Sequence, residues 1–135
     1  MAIFLLKTEP STYSYADLER DKRTVWDGVS NAVALKYLRS VSKGDTLLIY
    51  HTGDEKAVVG IARAASDAYP DPKLDDPKRV VVDLVPVRKL QHPVPLATFR
   101  TDRVLDSTEL VRLPRLSVMP LSEAQLTRVE QLAGG

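Results

Sequence analysis

The chain contains no cysteine, which excludes a disulfide framework, a zinc-thiolate centre and a thiol nucleophile. Its two histidines, His51 and His92, are too few for a histidine-rich metal site and leave a Ser-His-Asp arrangement little to draw on. Six glycines occur, none of them in a GxGxxG or GxxxxGK phosphate loop, and HExxH and EF-hand patterns are missing too. Neither a metal nor a cofactor is therefore expected. Long hydrophobic runs are also lacking. The opening MAIFLL meets Lys7 and Glu9, too soon and with the wrong flanks for a signal peptide or a membrane span. The expectation is a cytoplasmic protein with no membrane partner. Charge of one sign is nearly balanced, at a formal net +1, which excludes a histone-like polycation.

What remains is ordinary globular material. The 135 residues, 44% hydrophobic and 27% charged, suit one domain over 1–135 with a real core. Charge is uneven locally. Arg20, Lys22, Arg23, Lys36, Arg39 and Lys43 face only Asp21 and Asp27 between residues 20 and 43. That excess surrounds the sole tryptophan, Trp26, in the run WDGVSN. Clustered positive charge matters more than the total for a nucleic-acid partner.

Pattern along the chain predicts short strands and short helices. AIFLLK (2–7) reads as a buried strand closed by the Glu9-Pro10 turn. Ser14 and Asp17 form a capping box for a helix over 15–21, with Tyr13 and Leu18 as its staple. Asn31 caps a second helix whose apolar face is expected to hold Val33, Ala34, Tyr37, Leu38 and Val41. TLLIYHT (46–52) and AVVGIARAA (57–65) read as strands joined by GDEK. The proline- and aspartate-rich stretch 66–79 reads as a long surface loop of the kind that carries function. Residues 80–90 form a strand whose Pro86 argues for an edge or a bulge. His92 is expected in an exposed proline-rich connection. Helical turns at 95–100 and 106–112, an extended 115–121 and a last helix over 123–133 complete the chain. That last helix is capped by Ser122 and Gln125, with Leu126, Val129 and Leu132 inward. The fold class is α+β, a curved and mostly antiparallel sheet, expected as a small barrel with helices outside.

The candidate site gathers at strand and helix ends. Alternation puts Lys7 and Glu9 on one face of an extended segment, and sends Tyr50 and His51 to opposite sides of theirs. Together with Trp26, read as sitting in a turn, and a helix start at Asn31, these residues resemble a polar pocket with one stacking wall. A flipped nucleobase suits such a pocket, since every base has a π-face and an edge to be hydrogen-bonded.

The segments FLLKTEPSTYSYADLERD, TVWDGVSN, GDTLLIYHTGDEKAVVGIARA, DAYPDP and LVRLPRLSVMPL resemble, in order, the EVE domain, a PUA-like family related to the YTH and ASCH domains. The resemblance implies a curved β-barrel flanked by helices, and a non-catalytic role in taking a modified base of DNA or RNA into an aromatic-walled pocket. It places a K-[ST]-E-P motif on Lys7, Thr8, Glu9 and Pro10, and a W-D-G-V motif on Trp26, Asp27, Gly28 and Val29. It adds the capping Asn31, the Tyr50-His51 strand end, Tyr69-Pro70-Asp71 in the loop, and Arg115 to Val118. The implied base-pocket set is Trp26, Asp27, Gly28, Asn31, Lys7, Glu9, Tyr50, His51 and Ser117. Phosphates of the backbone fall to Arg23, Lys36, Arg39 and Arg115. The chain departs from the family pattern at Phe4, Ser30, Ala32 and Lys36, where Trp, Arg, an aromatic and Asn are usual. These departures leave the identity of the base open.

Two other readings stay in view. A glycosylase-like enzyme would use Glu9 or Asp27 as general base with His51 as its partner. A small-molecule or protein-interaction module would present the 66–79 loop.

Overall fold

The computed structural model describes residues 1–134. Seven strands and five helices follow in the order β1 (Ile3–Thr8), α1 (Tyr15–Asp21), β2 (Thr24–Trp26), α2 (Ala32–Arg39), β3 (Thr46–His51), β4 (Ala57–Ala64), β5 (Tyr69–Pro70), β6 (Val80–Pro95), α3 (Leu96–Thr101), α4 (Glu109–Arg112), β7 (Val118–Leu121) and α5 (Glu123–Leu132). The sheet runs β2-β6-β4-β3-β1-β7, with β5 added to β6. Among the described residues only β1 with β3 is a parallel pair; the other ladders are antiparallel. The result is a curled half-barrel with β2 and β7 as its ends. Helix α2 packs against both β6 and β7, and so lies across the open side.

The local signals act as their chemistry requires. Ser14 Oγ accepts from the Asp17 backbone N–H while Asp17 Oδ2 accepts from the Ser14 N–H. Ser122 and Gln125 make the same reciprocal pair at α5. Asn31 Oδ1 accepts from both Val33 and Ala34 N–H at 3.0 and 3.1 Å, which satisfies two of the free donors at the start of α2.

Several expectations need correction. The buried face of α2 is Ala34, Leu35 and Leu38, whereas Val33 is 46% exposed. Pro86 lies on an interior strand rather than an edge. The register between β4 and β6 slips there, pairing Ile61 with Arg88 but Ala62 with Pro86, so the expected bulge is present at the proline that lacks an N–H. His92 sits inside β6, whose 16 residues run well beyond the expected strand, and its N–H donates to the Ala133 carbonyl. Tyr50 and His51, expected on opposite sides of their strand, are both buried, at 3% and 8% exposure. Residue Tyr15 at the head of α1 bonds directly to His51.

Candidate nucleic-acid interface

At the seam of the half-barrel, the end of β1, strand β2, the start of α2 and the segment before β7 enclose a cleft of about 620 Å³. Its residues come from four separate stretches of sequence. The backbone N–H of Lys7 donates to the Ser117 carbonyl at 3.0 Å, which extends the β1–β7 pairing and brings both side chains to the cleft.

The aromatic wall is Trp26 with Tyr13. Trp26 is not in a turn but ends β2, paired with Val82 of β6, and the turn begins at the next residue. It is 8% exposed, so the indole is at once part of the core and a surface of the cleft. Tyr13 meets it edge-on, with ring centroids 6.4 Å apart and planes at 85°, a favourable arrangement of their quadrupoles. The Tyr13 hydroxyl donates to Asp21 Oδ2; burial, together with that carboxylate, raises its pKa. Thr24 shares the inner face of β2 with Trp26, two residues away, and lines the cleft beside it.

The segment that follows Trp26 is polar. Asp27, Gly28, Ser30 and Asn31 follow Trp26 around the cleft. Gly28 has φ +78° with open space where a Cβ would lie, so its role is the left-handed turn itself. The turn is held from behind by Arg79, whose Nε donates to the Val29 carbonyl at 2.9 Å. Asp27 is exposed, and among the described residues its carboxylate has no hydrogen-bond partner. Lys7 Nζ donates to the Pro114 carbonyl at 2.8 Å and lies 5.7 Å from the Tyr50 ring centroid. Half-burial lowers its pKa.

Of the residues expected in the base pocket, Trp26, Asp27, Gly28, Asn31, Lys7 and Ser117 line the cleft. Tyr13, Thr24 and Lys73 line it as well, without having been expected there. Lys73 belongs to the 66–79 stretch, which is folded back: Asp71 N–H donates to the Arg79 carbonyl, and Asp71 Oδ1 accepts from the Lys73 N–H. The loop itself was legible in the sequence, but the approach of Lys73 to this cleft was not.

The other candidates lie elsewhere. Glu9 follows the end of β1, where the chain turns; its carboxylate takes the Ser11 N–H and hydroxyl and the Thr52 hydroxyl. The Ser11 bonds lead in lowering its pKa. No ion pair joins it to Lys7 among the described residues. His51 Nε2 accepts from the Tyr15 N–H at 3.0 Å, so its proton is on Nδ1, which donates to Glu55 Oε1 at 2.7 Å. This histidine orients α1, and it is not aimed at the cleft. Tyr50 is buried behind Lys7. Of the groups in the catalytic reading, Asp27 lines the cleft and Glu9 and His51 do not; His51 lies near enough to Glu9 to help lower its pKa, with no hydrogen bond between them among the described residues. Of the four phosphate candidates, Arg23 pairs with Asp83 at 2.8 Å and Arg39 donates to the Lys78 carbonyl. Lys36 lies over Tyr37, 5.9 Å from its ring centroid. Arg115 is exposed and borders a second, adjoining cleft.

No helix among the described residues is long and apolar enough to cross a membrane. Comparison with known proteins agrees with the geometry. The family model described as EVE domain matches residues 2–132. Human thymocyte nuclear protein 1 is 28% identical over 163 residues, covering 96% of this chain and 72% of that protein. An NMR structure from Rhodopseudomonas palustris superposes with TM-score 0.94 at 32% identity, over 99% of this chain and 94% of that one. The human THYN1 protein, solved in complex with 5-methylcytosine-containing DNA, superposes with TM-score 0.90 at 28% identity, over 100% and 99%. At 10% identity and TM-score 0.58, an ASCH structure from Zymomonas mobilis shares the fold alone. The chain belongs to the EVE domain family.

Proposed function

We propose that this protein is a non-catalytic nucleic-acid-binding module that draws one modified base, 5-methylcytosine being the first candidate, into the cleft beside Trp26. The observation that carries the reading is that one cleft is lined both by an edge-on aromatic pair, Trp26 with Tyr13, and by an unpartnered carboxylate, Asp27. A base laid against the wall gains stacking, worth about 1–3 kcal/mol. Its exocyclic amine then meets Asp27, and an acidic side chain is the natural acceptor for the amine of cytosine. Val29, which also lines the cleft, supplies apolar surface against which a methyl group displaces water. Lys7 and Lys73 place positive charge at the same opening for the flanking phosphates. The human relative solved with 5-methylcytosine DNA supports DNA as the ligand class.

Fluorescence anisotropy with single- and double-stranded oligonucleotides tests this, each carrying cytosine or 5-methylcytosine at one position, at two salt concentrations. Binding is expected to be tighter to the methylated strand. Asp27→Asn, an exposed position whose change leaves the fold intact, is expected to lose roughly five- to hundredfold, the size of one lost base-edge contact. Uniformly weak binding that salt abolishes and Asp27→Asn leaves alone would mean backbone electrostatics only, and would overturn the reading.

A further inference from the structure

Beside the first cleft lies a second of about 350 Å³, and the two share Asn31 as a common wall. Its character is different. Leu116, 6% exposed, belongs to the core, while Val33 and Leu113 stand 46% and 49% exposed on either side, with Pro114 between Leu113 and Arg115. Two branched apolar side chains held open to water at one place are costly, and they call for an occupant. Lys7 ties the cleft to its neighbour, since its ammonium donates to the Pro114 carbonyl from within the first cleft. Arg115, at the rim, has no ion-pair partner among the described residues.

We infer that this apolar cleft between the start of α2 and the 113–116 turn is a subsite for the nucleotide adjacent to the captured base. The inference rests on the base-capture reading above. A strand whose base enters the first cleft continues past Asn31, so its next base or sugar reaches the second. The surfaces offered there, Val33, Leu113 and Pro114, make no hydrogen-bonding demand on an edge and accept the flat face of any base. Arg115 then meets the phosphate that joins the two nucleotides.

The test uses single-stranded oligonucleotides with one central 5-methylcytosine and an abasic site placed immediately 5′ or 3′ to it. Anisotropy is measured with the unaltered protein and with the Val33→Ser/Leu113→Ser double variant, both substitutions being at exposed positions. With the unaltered protein, an abasic site on one side but not the other is expected to weaken binding roughly fivefold, as the loss of one apolar contact with aliphatic side chains would. The double variant should bind the intact strand weaker by a similar factor and be indifferent to the abasic neighbour. Arg115→Gln should lower the slope of log affinity against log salt by about one contact. Indifference of the unaltered protein to both abasic neighbours overturns the subsite, as does a double variant that stays fully sensitive to them. A control strand abasic at the central position separates the two levels: if it binds as well as the methylated strand, the base-capture reading itself has failed.

Discussion

Tyr15 occupies the space that a side chain on Gly60 would need. A Cβ placed there would lie 2.5 Å from Tyr15 Cε2, and the Tyr15 hydroxyl donates to the next residue's carbonyl, Ile61, at 2.6 Å. The head of α1 is thereby held against β4, and burial pushes the Tyr15 pKa up to about 12. Gly60→Ala should destabilise the fold by roughly 1–3 kcal/mol through overpacking, read from urea unfolding. An unchanged midpoint would show that α1 shifts without cost.

His51 should prove structural. Replacing it with alanine removes the acceptor of a buried N–H, that of Tyr15, at a cost of about 1–3 kcal/mol. Since the imidazole does not line the cleft, the folded His51→Ala protein should keep its oligonucleotide affinity. Lost affinity with unchanged unfolding would instead return His51 to the ligand site.

The Tyr69–Asp83 pair should give stability a plateau in pH. The Tyr69 hydroxyl donates to Asp83 Oδ1 at 2.6 Å. This bond, with the nearby Arg23, holds the Asp83 pKa below its usual 3.8, and the same carboxylate pushes Tyr69 from 10.0 up to about 12. The Asp83 contribution is present above pH 3.8 and is lost as pH falls through its lowered folded value. The Tyr69 contribution is present below pH 10.0 and is lost as pH rises through about 12. Tyr69→Phe should therefore cost about 1 kcal/mol between those limits and progressively less beyond either. A difference independent of pH would sink this account.

Trp26 is the chain's one tryptophan and so reports on the cleft without a label. Adding a 5-methylcytosine oligonucleotide should quench or shift its emission, with a midpoint equal to that from anisotropy. Trp26→Phe, which keeps much of the core volume, should weaken binding several-fold. Trp26→Ala should instead cost about 3–5 kcal/mol of stability, because the indole is also core. Emission that ignores a bound oligonucleotide would place the base elsewhere.

What could be seen in the sequence was what is decided locally. Both capping boxes and the Asn31 cap concern residues within three positions of one another, and they formed as expected. The same-face reading of Lys7 and Glu9 failed because alternation holds only inside a strand, and the chain turns immediately after Thr8. Strand β2 has three residues, too few to show a period, so only its pairing with β6 reveals that Trp26 is on a strand. Val33 was assigned inward from its spacing, yet it faces the second cleft, and Leu35 takes its place in the core. Tyr13 and Lys73 reach the cleft through packing between distant segments, which no window of sequence displays.

The pairing of Lys7 with Ser117 also bears on the protein's history in the cell. A chain emerging from the ribosome carries Trp26 and Asp27 early, but the cleft has no far wall until Ser117 has been made and β7 has added to β1. Contacts so far apart in sequence close late and slow the search for the native state. On the base-capture proposal, a nascent chain would be blind to its ligand until folding is nearly complete. A strand bound in that cleft would hold the first and last strands of the sheet in place, so occupancy should retard opening of the whole fold and not of the loop alone.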